Sequence, residues 1–423
     1  MSSPFDEIER RLSRAQADAP DGVVGLELPE VFLGGLPAGL KDFAYRAEPV
    51  RGSRALALAE AWREEAVGVD RLGRLREALE ARGGSAAPLW FAAPFEQDHP
   101  ARVWLPAVQL EAAHGRCRLW VAGCRWRAPL GTLLGALSEA PESTPYPQIL
   151  CRQGQRPGYV RWRRRAETAL AEIARGGFHK VVLARELVVR GQRPFDPARL
   201  ARVLECRFPS LHQIALDLGG EQLLAATPEY LLSLSGDALH CEALAGTAAR
   251  DPDPARDERL GRALLDNPKI RHEHRWVVEA LREVLAPRCA LLEFPDAPRL
   301  MRLRGLQHLC TPIEGRLHTR VHPLDLVAAL HPSPAVAGWP REAALDWLRA
   351  HEGLERGWYS GLFGRLGAAD EASIDVVLRT IRISGTEARL NAGAGLVAGS
   401  DPGAEWEETE LKLSGLIEAL AEA

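Results

Sequence analysis

The chain has 423 residues, 46% hydrophobic and 26% charged, which excludes a disordered, collagenous or small disulfide-built protein. Its net charge of −4 provides no basic field for nucleic acid. The 53 cationic side chains include only four lysines, Lys41, Lys180, Lys269 and Lys412, so each invites chemistry that arginine, which never deprotonates, cannot supply.

In chain order, the N-terminal MSSPFDEIERRLSRA is charged, helical in pattern and without the apolar core of a signal peptide. LWFAAPF and CRLWVAGCRW read as strands rich in Trp, Phe and Val, and carry no recognisable chemistry. Residues 141–157, with four prolines, read as a linker between an N-terminal part, 1–150, and a catalytic region, 151–423. The run Arg161, Arg163, Arg164 and Arg165 decorates the start of a helix, and FHKVVLARELVV follows as a strand. Further strands are predicted at 213–219, 222–226, 230–235 and 238–244. A helix opens at Asn267-Pro268, a cap residue followed by a proline suited to the first turn. SIDVVLRTIRISGTEARLNAGAGLVAG reads as a two-stranded hairpin, and EWEETELKLSGLIEALAEA as a closing helix. Clustered strands without regular βαβ alternation predict an α+β fold of mostly antiparallel sheets layered with helices. No apolar run approaches the roughly 18 residues of a membrane span. The seven cysteines, odd in number and without C-x-x-C, fit reduced thiols, so a cytoplasmic protein is expected.

Several side chains stand where they demand explanation. Glu273 falls on the apolar side of its helix, with Ile270, Val277 and Leu281, and so needs either a buried cationic partner or a metal ion. Glu405, Glu408 and Lys412 share one face of the closing helix, either as a solvated charged face or as oxygen donors for a hard ion such as Mg²⁺. His272 and His274, two residues apart on a helix, point to different faces and do not make a zinc site. Gly393, Gly395 and Ala398 match a dinucleotide pattern, but no βαβ unit fits between them and the end of the sequence. Backbone N–H groups approaching an anion are the better reading. Lys180 lies on an apolar strand face, where desolvation is expected to lower its pKa and make it a general base. Glu242 precedes a Gly246-Thr247 turn, where a raised pKa would make it a proton donor.

Ten ordered segments, among them HKVVLAREL (179–187), TPEYLLSL (227–234), EALAGT (242–247), KIRHEHRWVV (269–278), QHLCTPIEGRL (307–317), LHPSPAVAG (330–338), ERGWYSGLFG (355–364), AGAGLVAGSDP (392–402) and EWEETELKL (405–413), resemble the chorismate-utilising enzymes, and among them the isochorismate synthases. The likeness spans roughly residues 150–420 and is weaker before that. It implies one large chorismate-binding-enzyme fold, a monomer with chorismate as its small-molecule partner, and Mg²⁺ held by Glu273 and Glu408, with Glu405 on a metal-bound water. Lys180 corresponds to the base that activates water and Glu242 to the general acid. Arg379 and Tyr359 correspond to contacts of the enolpyruvyl carboxylate. Lys412, Gly246, Thr247 and Gly393 correspond to contacts around the ring carboxylate and backbone pocket, with His308 and Ala335 also in the substrate site. The implied activity is an isomerase (hydroxymutase) reaction, chorismate to isochorismate, serving menaquinone or siderophore formation. Salicylate synthesis and a catalytically silent chorismate-binding subunit are the alternatives. Ala245 speaks against the relatives that carry a lysine there, and Ala335 against salicylate synthases, which commonly place a threonine nearby. Two departures from the family pattern are Ala248-Ala249 after the AGT and Asn391 before AGAG, where an apolar residue is usual.

Overall fold

The computed structural model describes every residue except 1–3, 18, 20–21, 29–32, 34, 139–146 and 369. All strand pairings among the described residues are antiparallel, and they form two series. One series runs through Leu150–Arg156, Lys180–Gly191, Glu387–Val397, Thr380–Ser384, Gln222–Thr227, His212–Asp217, Phe43–Glu48 and Ser53–Ala66. The other runs through Ala101–Ala113, Leu89–Ala93, Leu362–Leu366, Ala372–Val376, Tyr230–Ser235, Ala238–Ala249 and Leu306–Leu317. The long strands Ser53–Ala66 and Ala101–Ala113 pair along most of their length and join the two, with a register shift at Glu60–Trp62 beside Ala59, whose φ is +53°.

The layers follow from the side chains. Small alanines (44, 55, 57, 92, 225) let the inner faces of the two series approach, and Trp90, Trp104 and Phe363 fill what the alanines leave open. The outer face of the first series packs on the helices Pro197–Arg207 and Pro402–Glu422 through Leu200, Leu204, Leu413 and Leu416. The second packs on Arg71–Arg82, Pro268–Leu285 and Pro323–Leu330 through Leu75, Val277, Leu281 and Val327. The result is helix, sheet, sheet, helix, an α+β architecture. No described helix is long and apolar enough to cross a membrane.

Two expectations fail. Of the anticipated linker at 141–157, residues 141–146 lie outside the described residues, and Leu150–Arg156 is a strand paired with Lys180–Gly191. Its prolines flank the strand, and its polar, exposed composition is that of an edge strand guarded by charge. The anticipated hairpin at 373–399 is three strands. Ala372–Val376 belongs to the second series, and Thr380–Ser384 and Glu387–Val397 to the first. The chain changes sheets at Val377–Arg379, where Arg379 adopts a left-handed φ of +51° that few non-glycine residues take. All seven cysteines are free thiols, with Cys124, Cys151 and Cys206 exposed and the other four buried.

Candidate active site

The ends of these elements converge on one cavity lined by both charged and apolar side chains. Its walls are Lys180 and Val182 from one strand and Asn391, Gly393 and Gly395 from the strand beside it. Facing these stand Leu244 to Thr247 and His308 from the second series, with Glu273, Glu408 and Lys412 from two helices. The local sequence fixes both helices. Asn267 accepts hydrogen bonds from the N–H groups of Lys269 and Ile270, and Asp401 from that of Ala404, each followed by a first-turn proline. These caps set the phase that turns Glu273 and the Glu405–Glu408–Lys412 face inward.

Three of the four lysines meet the three carboxylates implied as metal ligands. Lys180, 1% exposed, places Nζ 3.0 Å from Glu273 Oε1, so its ammonium has a counter-ion rather than the purely apolar surroundings expected from the strand pattern. Lys412 Nζ lies 2.7 Å from Glu408 Oε1 and donates to the Gly393 carbonyl at 2.9 Å, while Lys269 pairs with Glu405. Burial pushes the Glu273 carboxyl up, but Lys180, Lys269 and Lys412 together hold it below the usual range. Glu405 is pushed up to about 7 by burial and then by the charge of Glu408, against the pull of Lys269.

The glycines of the AGAG run make room for these side chains. A Cβ on Gly395 would stand 2.1 Å from Glu273 Oε1 and 3.0 Å from Lys180 Cε, and one on Gly393 would stand 2.9 Å from the Tyr359 hydroxyl. Gly246, at φ +77° in the register shift between Ala245 and Thr247, takes a conformation that side chains disfavour and leaves room for Ile270.

Of the residues singled out from the sequence, Lys180, Gly246, Thr247, Glu273, His308, Ala335, Tyr359, Arg379, Gly393, Glu408 and Lys412 line this one cavity. Glu405 stands behind the wall, 2% exposed, on Lys269. Glu242 is the correction. It is not among the lining residues, and its carboxylate faces Arg299 at 3.7 Å and His240 at 4.0 Å. It sits two residues beyond Leu244, about 6.6 Å along the strand, past the cavity's end.

A carboxyl that the sequence reading passed over does line the cavity. Glu229, 5% exposed, sits in the turn between Gln222–Thr227 and Tyr230–Ser235 and accepts a hydrogen bond from Ser333 Oγ at 3.3 Å. Burial raises its pKa to about 7 against the pull of Ser333, Lys180 and Lys412. The signal was present as a lone acid in the otherwise apolar LLAATPEYLLSL. A second missed group is Arg356, fully buried with Glu352. Its guanidinium donates to the carbonyls of Val182 and Val336, while Glu352 accepts the Ala184 N–H, locking the Lys180 strand against the 333–337 loop.

Arg379 is the site's uncompensated charge. Among the described residues no carboxylate pairs with it, its Nη2 meets His308 Nε2 at 3.0 Å, and burial alone lowers its pKa to about 10. Burial, then Arg379 and Lys412, hold His308 neutral. Its Nε2 faces a donor, so Nδ1 carries the proton toward the Gly246 carbonyl, 3.2 Å away. Such a site accepts an anion at Arg379.

Among the described residues no three acidic, His or Cys side chains converge closely enough to hold a metal ion as they stand. The donor set still suits a hard divalent cation. It is oxygen only, and the mutual repulsion that raises Glu405 is what such an ion would relieve.

Comparison with known proteins agrees with this geometry. The chorismate binding enzyme family matches residues 93–421. The salicylate biosynthesis isochorismate synthase of Pseudomonas aeruginosa is 40% identical over 324 residues, 76% of this chain and 65% of that one. The isochorismate synthase MenF of Bacillus subtilis is 36% identical over 61% of this chain and 55% of its own. The chain therefore aligns with less than two thirds of the length of these relatives. Among solved structures, the menaquinone-specific isochorismate synthase MenF of Escherichia coli superposes with a TM-score of 0.83 at 27% identity, covering 98% of both chains. With a family match over most of its length and a relative's fold throughout, the chain belongs to the chorismate-binding enzymes.

Proposed function

We propose that the protein is an isochorismate synthase, interconverting chorismate and isochorismate. The observation that carries this reading is the placement of Lys180 and Glu229 in one cavity with Arg379, which no carboxylate among the described residues pairs. Lys180 Nζ accepts a proton from water as the water oxygen bonds to C2. The ring double bonds shift, the C4–O bond breaks, and protonated Glu229 gives its proton to the departing hydroxyl, which leaves as water. One water enters and one leaves, so no redox cofactor is required and the reaction is reversible. Arg379 and Tyr359 hold the enolpyruvyl carboxylate, while Lys412, Thr247 and the Gly246 backbone surround the ring carboxylate.

Charge balance supports a metal requirement. With Lys180 acting as the base, the Lys412–Glu408 pair cancels and Glu273 offsets Arg379, so a bound dianion would leave the buried site negative unless a divalent cation accompanied it. Glu273 and Glu408 would hold Mg²⁺, with Glu405 behind them on a bound water. The ion would neutralise the ring carboxylate and polarise the diene. Ala335, small and without a hydroxyl in the cavity wall, supports isochorismate rather than salicylate as the product released.

Incubation with chorismate and Mg²⁺, followed by chromatographic separation, tests the assignment. Isochorismate is expected. Salicylate with pyruvate as the main product, anthranilate formed only with ammonium, or binding without turnover would each reject it. Glu273→Gln and Glu408→Gln should raise the Mg²⁺ concentration needed for half-maximal rate, and an unchanged titration removes them as ligands.

A further inference from the structure

Asn391 is 3% exposed, yet it forms part of the cavity wall. Its side-chain Oδ1 accepts from Thr380 Oγ1 at 3.3 Å, which fixes the amide and leaves the Nδ2 group, with its two donor hydrogens, no protein acceptor among the described residues. The nitrogen is not one of the sealed-off unpaired polar atoms of the interior, so it is open toward the cavity, where an acceptor would satisfy it. The cavity is the remaining direction in which an acceptor can come. The position is also defined along the site. Asn391 shares a strand face with Gly393, about 6.6 Å further on, and a Cβ on Gly393 would stand 2.9 Å from the Tyr359 hydroxyl. Its anchor Thr380 follows Arg379 directly in sequence. Asn391, Tyr359 and Arg379 all line this cavity.

We propose that Asn391 is a substrate-contact and specificity residue, its Nδ2 donating to an oxygen of the enolpyruvyl group at the end where Arg379 and Tyr359 receive the carboxylate. This rests on the assignment of chorismate as the ligand. An apolar residue at this position would offer shape alone, whereas the amide adds a neutral donor that rejects ligands lacking an acceptor there.

Steady-state kinetics and calorimetric binding of chorismate, with saturating Mg²⁺, test the contact. Asn391→Leu, close to isosteric but without donors, should raise KM and Kd about ten- to hundredfold, as for loss of a hydrogen bond to a charged acceptor, with a smaller change in kcat. Asn391→Asp should weaken binding further, because a carboxylate repels the anion. Thr380→Val, which removes the anchor from behind the wall, should give a smaller rise in KM and keeps the inference testable if the Leu variant fails to fold. If Asn391→Leu, or Thr380→Val in its place, binds and turns over chorismate with wild-type constants, the inference is overturned while the isochorismate synthase reading stands. If the wild-type protein neither binds nor converts chorismate, that reading fails first and takes the inference with it.

Discussion

Glu229 and Glu242 show how burial, more than local sequence, decides which carboxyl is placed to hold a proton near neutral pH. Glu242 lies within a strand and Glu229 in a turn between two, but only Glu229 lines the cavity with a pKa near 7. A proton donor with that pKa is lost as pH rises, so turnover should fall above about pH 7, the limb disappearing in Glu229→Gln together with most of the activity. Glu242→Gln should stay active. A pH–rate profile of the three proteins checks this, and an inactive Glu242→Gln beside an active Glu229→Gln would reverse the assignment. Stability carries the same signature. The folded pKa is raised from 4.5, so below pH 4.5 both states hold the proton and Glu229 costs nothing. From there to about 7 the unfolded chain ionises while the folded one stays protonated, and stability falls. Glu229→Gln should therefore match wild type at pH 4 and exceed it at pH 8, by on the order of 3 kcal/mol, in denaturant titrations. The sequence showed Lys180, Glu273 and Lys412 because a scarce lysine and an inward carboxylate are visible in composition and helical phase. It hid Glu229 because the burial that raises its carboxyl is set by tertiary packing and leaves no mark in the local sequence, while Glu242 attracted attention only through its neighbours Gly246 and Thr247.

At the scale of elements, the site depends on how closely two strands and two helices approach. The two helix starts were legible because capping is local chemistry. The three-strand arrangement at 372–397 was not, since a chain crossing between sheets leaves no periodic trace beyond the short VVLR interruption. The approach has its tightest point at Gly395, where an added Cβ would meet Glu273 Oε1 at 2.1 Å. Gly395→Ala should displace Glu273 from Lys180 with the fold retained. A misplacement of about 1 Å can cost about a hundredfold in rate, and we expect that order of loss in kcat together with a weakened Mg²⁺ response. Circular dichroism should stay unchanged, and an alanine variant with wild-type kinetics would show that the glycine has no role in setting the pair.

For the whole molecule, the N-terminal third is woven into both sheets although its likeness to the family is weak. Phe43–Glu48 pairs with His212–Asp217, and Leu89–Ala93 with Leu362–Leu366, while Trp90 and Trp104 fill the space between the sheets. A fragment comprising residues 151–423 should therefore lack a cooperative thermal transition and turnover. A soluble fragment that melts cooperatively and converts chorismate would show the N-terminal part to be dispensable. The composition of the first third announced strands but not their partners, because antiparallel pairing over more than 150 residues of sequence leaves no mark in either strand alone.

In the proposed reaction a lysine base and a buried acid pass water across the ring of a bound dianion. Turnover of chorismate in ¹⁸O-labelled water, stopped early and read by mass spectrometry, tests it most directly. One heavy oxygen is expected in each isochorismate formed, located at C2. Isochorismate formed without label, its hydroxyl carried over from the substrate, would contradict it.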